Sequence, residues 1–222
     1  MQDFKLSSPP LSLFTDFPIH NVKTDVLKQG DLLYRCFNAE YTWDFYDSNI
    51  GGRFNGVLPQ PNQNIYQNIG LIKFGTCYFA SSIKGGLSES IFRNVHFKNP
   101  PFIERSVLSS KKMIQLYVPN GTQLTFVDLT DSATRVALGL DTQIFSSADY
   151  DSCYLWAQLF YYQNFDGILY AGRNFQFKCY ALFDRKKVHV DDGEDLGLIG
   201  GDTVYPHLKE LAHELGVLVE KV

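Results

Sequence analysis

The sequence predicts one domain of mixed strands and helices in which β-sheet predominates. A chain of 222 residues with 45 % hydrophobic content is long enough to bury one proper core. Aromatic residues make up 15 % of the chain, and such bulky side chains favour strands. Short alternating or apolar runs are interspersed with longer runs of helical periodicity, so both kinds of element are expected.

The N-terminal part of the chain differs from the rest. Residues 1–28 are rich in Pro and Ser and lack sustained periodicity, so we expect them to wrap over a single domain at 29–222. The first strand is predicted at 32–37. Its alternation places Arg35 on the same face as two apolar side chains, and a charge in that position should have a partner.

The next segments predict a loop, a strand and a helix. Residues 57–70 are polar and contain prolines, which is typical of an extended surface loop. A strand is predicted at 76–80, followed by a helix capped by Ser81 or Ser82. Glu89 lies off the apolar stripe of that helix, so it can point into the mouth of a cleft.

The second half of the chain continues this alternation. Strands at 113–118 and 123–129 are joined by Asn120-Gly121, which predicts a β-hairpin. Further strands are predicted at 168–171 and 175–181 as neighbours, and an acidic, glycine-rich loop at 191–202. The remaining helices are predicted from caps and periodicity at 131–138, 150–165 and from Pro206 to Gly216.

Charge and composition restrict the ligands and the compartment. A net charge of −4 gives no broad attraction to nucleic acid or anionic lipid, so an anionic ligand must be held by a few placed arginines. The four cysteines and five histidines have no metal-ligand spacing, so reduced thiols, no metal and no catalytic cofactor are predicted. Neither a signal peptide nor a membrane span is evident, which favours the cytoplasm, although an exported effector would look the same.

A few side chains suit a phosphate-bearing ligand with flat rings. Arg35 and the glycine-framed Arg53 could bind phosphate oxygens bidentately, or form a buried ion pair and a plain turn. A carboxylate such as Glu89 beside an anomeric carbon can stabilise an oxocarbenium-like transition state, although most helical glutamates are only solvated. Three tyrosines could stack on a base or pyridine ring, or simply pack in the core: Tyr46, Tyr78 and Tyr170.

In their order along the chain these pieces resemble the RES family, the toxin component of bacterial toxin–antitoxin pairs, named for Arg, Glu and Ser positions. The resemblance covers about residues 32–181. It rests on the strand arginine at 33–35, the run GGRFNG at 51–56, the run from Tyr78 to Glu89, and DGILYAGR at 166–173, with supporting runs at 135–140 and 156–157.

The resemblance implies an α+β fold of the ADP-ribosyltransferase type, with a split β-sheet around an NAD cleft and flanking helices. It implies that NAD is the substrate and that the nicotinamide–ribose bond is cleaved. Glu89 would act at the ribose, Arg35 would hold phosphate and Tyr78 would pack beside the nicotinamide. The other predicted NAD contacts are Arg53, Asn55, Tyr46, Tyr170, Gly172 and Arg173. An antitoxin would cover the cleft.

Two positions depart from the family pattern. Phe54 stands where the family usually has Trp, and Gly172 falls where its Ser is expected. Without that hydroxyl the activity could be reduced, Ser81 or Ser82 could substitute, or the acceptor could differ. Three functions are therefore open: transfer of ADP-ribose from NAD to water or phosphate, transfer to a protein, and inactive binding of NAD or a partner.

Overall fold

The computed structural model describes residues 6–46, 52–56, 66, 68–97, 99–146, 150–172, 177–183 and 191–220. The strands in these ranges are β1 Thr24–Lys28, β2 Leu32–Asn38, β3 Thr76–Ala80, β4 Phe102–Ile103, β5 Lys111–Tyr117, β6 Gln123–Asp128, β7 Gly167–Ala171, β8 Lys178–Phe183, β9 Asp191–Leu198 and β10 Leu218–Val219. The helices are α1 Ser12–Thr15, α2 Ile83–Ser90, α3 Arg105–Ser110, α4 Ser132–Leu138, α5 Gln143–Ser146, α6 Asp151–Tyr162 and α7 Tyr205–Glu214, with 3-10 helices at Ile19–Asn21 and Phe92–Phe97.

Eight strands form one mixed sheet in the order β1-β6-β7-β8-β3-β2-β5-β9. Strands β6 and β7 pair in parallel, and the other neighbours are antiparallel. Strands β4 and β10 form a separate parallel pair. Helices flank the large sheet, so the α+β prediction is confirmed.

The sheet is split between β2 and β3. Tyr34↔Ala80 is the one register pair that joins these strands in the described part of the chain. Strand β2 pairs with β5 along its whole length, and β3 does the same with β8. The two halves of the sheet therefore separate beyond Tyr34 and Ala80, which makes room for a cleft in the middle of the sheet.

Hydrophobic clusters hold the halves together from both faces. The largest packs α6 against one face, and its inward residues Trp156, Leu159 and Phe160 are at most 1 % exposed, as predicted. Burial of an aliphatic or phenyl side chain of this kind contributes about 1.5–3 kcal/mol. A second cluster joins β2, β3, β5, β6, β7 and β8, and a third packs α2 and α7 together.

The first strand is β1, so the expectation that residues 1–28 only wrap over the domain was wrong. Leu6 and Phe14 are buried in the largest cluster, as a wrapping segment would be, but Thr24–Lys28 pairs with β6 at the edge of the sheet. Only Leu27 of this strand is buried. An edge strand with one buried residue has almost no alternation, which is why the sequence did not reveal it.

The predicted hairpin at Asn120-Gly121 was also wrong. Both strands exist, and Gly121 has the positive φ of 74° that such a turn needs. However, β5 pairs with β2 and β9, whereas β6 pairs with β1 and β7. The local turn does form, with the Thr122 amide donating to the carbonyl of Pro119 at 3.2 Å. The pairings across the sheet nevertheless make β5 and β6 run in the same direction, so the two strands are not the arms of a hairpin.

Residues 191–198 form the edge strand β9 and not a loop. Gly193 lies against β5 so closely that a Cβ atom there would be 2.5 Å from the carbonyl oxygen of Gln115. The pairing contains two register irregularities, and Gly197 has a φ of 82°. Acidic residues and glycine are rare in strands. A bulged edge strand made of them is therefore not recognisable from sequence patterns.

The predicted helix termini agree well with the structure. The Ser82 side chain accepts a hydrogen bond from the Gly85 amide at 3.1 Å, and Asp131 caps α4 through Thr134 at 2.8 Å. Strand β3 has the predicted bounds. The predicted loop at 57–70 lies mostly outside the described residues. In the described ranges no helix is both long and apolar enough to span a membrane.

Candidate active site

A cavity of about 460 Å³ lies at the split in the sheet. Its size is within the range of small-molecule sites. Since Tyr34 pairs with Ala80, an unbroken sheet would next pair Arg35 with Phe79 and Cys36 with Tyr78. The cavity separates these residues instead, and they form its walls. Its full lining is Tyr34, Arg35, Cys36, Tyr78, Phe79, Gly86, Glu89, Ser90, Arg93 and Tyr150.

Helix α2 delivers Glu89 to this cavity. Gly85 and Gly86 let the helix approach the sheet closely, because a Cβ on Gly85 would be 2.8 Å from that of Ala80. Glu89 is in the last turn, and its side chain is 13 % exposed. The prediction that Glu89 lies off the apolar stripe and faces a cleft therefore agrees with the geometry.

Arg93 is the near neighbour of this carboxylate, and sequence reasoning missed it. Its Nη1 atom is 3.8 Å from Oε1 of Glu89, and its Nη2 atom donates to the Tyr150 hydroxyl. Burial works to lower the pKa of Arg93, but the Glu89 carboxylate and the nearby tyrosine hydroxyls together outweigh it, so the pKa is raised. The i,i+4 spacing to Glu89 was the signal that could have identified Arg93.

Arg35 lines the cavity with part of its hydrogen-bonding capacity unused. Its Nη2 atom donates to the carbonyl of Phe45 at 2.5 Å, and its guanidinium lies 5.8 Å from the centroid of the Phe79 ring. The expected partner of this strand arginine is thus a carbonyl and an aromatic face. Its Nη1 atom is buried without a hydrogen-bond partner among the described residues.

Arg53 is a buried cation without a described counter-charge. The residue is 3 % exposed, and Nη1 donates to the carbonyl of Phe145. Its guanidinium lies 5.6 Å from the centroid of the ring of Tyr150, a residue that lines the cavity. Its Nε and Nη2 atoms have no hydrogen-bond partner, and no carboxylate forms an ion pair with it, among the described residues. A buried charge in this state is costly unless an anion binds nearby.

Tyr78 connects the cavity wall to the turn that carries Arg53. Its hydroxyl accepts a hydrogen bond from the Phe54 amide at 2.8 Å. Burial raises the pKa of Tyr78, and this hydrogen bond lowers it only in part. A Cβ on Gly52 would be 2.6 Å from the Tyr78 hydroxyl, so glycine is required for this approach. Asn55, in the same turn, is 2 % exposed.

Tyr170 and Gly172 lie beneath the cavity. Tyr170 is 1 % exposed, its ring is edge-on to Phe54 and Tyr78, and its hydroxyl has no hydrogen-bond partner in the described part of the chain. Burial raises the pKa of Tyr170 well above its ordinary value. Gly172 follows β7, and a Cβ there would be 3.6 Å from Oε2 of Glu89.

Of the two remaining predicted contacts, one is away from the cavity and the other lies outside the described residues. Tyr46 is not on the cavity wall; its ring covers Gly75, where a Cβ atom would be 1.7 Å from Cδ2 of the ring. Tyr46 follows a turn whose direction the sequence does not specify. Arg173 lies outside the described residues.

Other wall residues were missed together with Arg93. Tyr34 and Cys36 flank Arg35 in β2, and Tyr150 precedes α6. Burial raises the pKa of the Cys36 thiol, and its hydrogen bond with Ser90 lowers it only in part. In the ranges that the structure describes, no group of three or more His, Cys, Asp or Glu side chains could hold a metal ion.

Comparison with known proteins identifies relatives of the fold and of the sequence. A comparison with curated proteins finds no significant match. A solved structure with a similar fold is a chain of the M. tuberculosis MbcT–MbcA toxin–antitoxin complex, with a TM-score of 0.65 and 15 % sequence identity over 91 % of this chain and 98 % of that one. The model of the RES domain matches residues 32–198, which extends beyond the predicted span and includes β9. The chain therefore belongs to the RES domain family.

Proposed function

We propose that this protein is the toxin of a toxin–antitoxin pair that degrades NAD by cleaving its nicotinamide–ribose bond and transferring ADP-ribose to water or phosphate. Its membership of the RES domain family supports this class of activity. The observation that carries the proposal is the buried Arg53 without a described counter-charge, close to a cavity that contains Glu89.

The charges around the cavity suit the pyrophosphate of a dinucleotide. Arg35, Arg53 and Arg93 surround a region in which Glu89 is the one acidic residue of the described lining. The arginines exceed the carboxylate by two positive charges, and a pyrophosphate diester carries two negative charges. Arg35 and Arg53 also have unused donors, which guanidinium groups can direct at phosphate oxygens.

Glu89 is well placed for the chemical step. When the bond between the anomeric carbon and the nicotinamide nitrogen breaks, its electron pair leaves with nicotinamide and the ribose becomes oxocarbenium-like. A nearby carboxylate stabilises that positive charge. The oxygen of water or phosphate then bonds to the anomeric carbon, and the proton of water or of protonated phosphate passes to solvent. We assign Glu89 the first of these roles and Tyr78 the packing of the nicotinamide ring.

The remaining arginine positions Glu89. Arg93 holds the carboxylate at 3.8 Å while its other nitrogen donates to Tyr150, so the carboxylate is oriented without a close ion pair. Asn55, Tyr170, Gly172 and Arg173 are retained as proposed NAD contacts. The proposed partner is an antitoxin that covers the cavity, by analogy with the toxin–antitoxin complex that shares this fold.

The test is to follow nicotinamide release from NAD by the purified protein. We expect release by wild type and loss of at least a hundredfold in Glu89→Gln, which keeps the shape and removes the charge. Glu194→Gln, at an exposed position of β9, is the matched control and should retain full activity.

Nicotinamide release, together with labelling and calorimetry, separates the alternatives. Equal release by wild type and Glu89→Gln, or no release by folded wild type, would contradict the proposal. Incorporation of labelled ADP-ribose into protein would identify a protein ADP-ribosyltransferase. Calorimetric binding of NAD without turnover would identify an inactive binding module, which the glycine at 172 would explain.

A further inference from the structure

Two aromatic side chains outside the cavity are stacked face to face. The ring centroids of Tyr41 and Phe45 are 4.3 Å apart and the ring planes are inclined by 12°. Both residues remain largely open to solvent, with exposed fractions of 48 % and 44 %. We call these two residues the aromatic pair. Large aromatic residues are usually buried, and a stacked, exposed pair is a surface on which a further flat ring can stack.

The turn that carries the aromatic pair is ordered by its own hydrogen bonds. The Tyr41 amide donates to the carbonyl of Asn38 at 3.0 Å, and the Phe45 amide donates to that of Thr42 at 3.1 Å. The Thr42 hydroxyl donates to Asp44 at 2.6 Å. The backbone that carries the two rings is therefore ordered before any ligand arrives, which lowers the entropy cost of stacking.

The aromatic pair is directly connected to the cavity. The carbonyl of Phe45 accepts the 2.5 Å hydrogen bond from Nη2 of Arg35, and the rest of that guanidinium is on the cavity wall with Nη1 unpartnered. A phosphate bound by Nη1 would thus be separated from the Phe45 backbone by one guanidinium group. The backbone of Phe45 is therefore adjacent to the guanidinium that faces the cavity.

We infer that the aromatic pair is the subsite for the adenine ring of the dinucleotide. This rests on the proposed function, in which Glu89 and Tyr78 receive the nicotinamide ribose at one end of the cavity. In a dinucleotide the adenosine is at the opposite end of the pyrophosphate from the nicotinamide ribose, and Arg35 both lines the cavity that contains Glu89 and donates to the carbonyl of Phe45. Stacking without base-specific hydrogen bonds holds any purine. The subsite therefore selects for a ligand that carries a flat base in addition to nicotinamide, and not for adenine itself.

The experiment compares two substrates that share the reacting bond. NAD carries the adenosine, whereas nicotinamide mononucleotide lacks it. In Tyr41→Ala and Phe45→Ala we expect KM for NAD to rise about 5- to 150-fold, the range for losing one stacked base. Values of kcat/KM for nicotinamide mononucleotide should not change. Tyr41→Phe should restore the wild-type KM, since it keeps the ring.

The control is Tyr117→Ala, which removes a partly exposed aromatic residue from β5. It should leave both substrates unaffected. Thermal melting of each variant, above all Phe45→Ala, checks that the fold is intact. An unchanged KM for NAD in Tyr41→Ala, or an equal rise for both substrates, would overturn the inference.

Failure of the proposed function would give a different result. If wild type releases nicotinamide from neither substrate, the binding of ADP-ribose and of ribose 5-phosphate is measured by calorimetry. Weaker binding of ADP-ribose alone in Tyr41→Ala would support the aromatic subsite in a protein without turnover. Absence of binding by wild type would overturn both proposals, whereas turnover that does not depend on the aromatic pair would overturn only this one.

Discussion

Gly172 lies beside the carboxylate of Glu89: a Cβ atom at position 172 would be 3.6 Å from Oε2. The same atom would be 3.2 Å from Sγ of Cys179, which is a tight contact with a small side chain. A hydroxyl at this position would therefore be within reach of the carboxylate. The position at which the chain departs from the family pattern is thus in contact with its central acid.

The first prediction concerns Gly172→Ser. The new hydroxyl should donate to Glu89 and orient it, so we expect nicotinamide release to increase by about fivefold to tenfold, the equivalent of one ordinary hydrogen bond. Steady-state kinetics with NAD measures this. Gly172→Ala is the control, because it introduces the same crowding against Cys179 without the hydroxyl. An equal rate in the Ser and Ala variants would contradict the role of the hydroxyl.

The second prediction concerns the buried charge of Arg53. Arg53→Met removes a guanidinium with two unpartnered nitrogens, so the free energy of unfolding should be unchanged or higher. Stabilisation by NAD should be lost, since about 1.5–3 kcal/mol of charged hydrogen bonding to the ligand disappears. Urea unfolding with and without NAD measures both effects, in a Glu89→Gln background so that NAD is not consumed.

A matched arginine tests that reasoning. Arg135 donates to the carbonyls of Leu129 and Thr130 at 2.6 and 2.9 Å, so its hydrogen bonds are made within the protein. Arg135→Met should lower the free energy of unfolding by about 1–3 kcal/mol and leave stabilisation by NAD intact. If Arg53→Met were the more destabilising of the two, Arg53 would be a structural residue.

The third prediction is a loss of stability at alkaline pH. Burial raises the pKa of Tyr170 above its ordinary 10.0, so the folded state keeps a proton that the unfolded chain releases. Between these two pKa values the unfolded state binds fewer protons, and the free energy of unfolding falls as pH rises. The contribution of Tyr170 is fully present below pH 10 and is lost above it, at up to about 1.4 kcal/mol per pH unit. Urea unfolding from pH 8 to 11 should show a shallower decline in Tyr170→Phe, and parallel curves would refute this.

The fourth prediction uses Cys36 as a reporter of the cavity. Cys77, Cys153 and Cys179 are 0 % exposed, whereas Cys36 is partly exposed on the cavity wall. A thiol reagent at pH 8 should modify one cysteine per folded chain, more slowly than a free thiol because burial raises the pKa of Cys36. ADP-ribose should slow the reaction further. Mass spectrometry identifies the site, and Cys36→Ser should abolish labelling; modification of a different cysteine would contradict the assignment.

Local signals in the sequence were sufficient for much of the fold. The cap at Ser82, strand β3 and the position of Glu89 on α2 are each determined within a few residues by capping and periodicity. Strand pairing was not accessible in this way. The partners of β1, β5 and β9 lie far along the chain, and sheet edges tolerate residues that strands otherwise avoid.

The candidate site was predictable to a similar degree. Residue types pointed to Glu89, Arg35 and Tyr78, which the structure places on one cavity. Tyr150 could not be found, because only the packing of α6 brings it to Arg93. Burial of Arg53 was equally hidden, since a glycine-rich turn looks exposed in sequence and its approach to Tyr78 is a tertiary contact.

Because β2 and β3 are joined only by the pairing of Tyr34 with Ala80 in the described part of the chain, the stability of the protein should depend on whether the cavity is occupied. A molecule bound in the cavity would contact β2 on one side and β3 on the other, and so would bridge the two halves of the sheet. Occupancy then adds to conformational stability by mass action, about 2.7 kcal/mol when the ligand is at 100 times its Kd. Under the proposed function, consumption of that ligand would withdraw the same support, and the protein would become easier for proteases to remove as its substrate is exhausted.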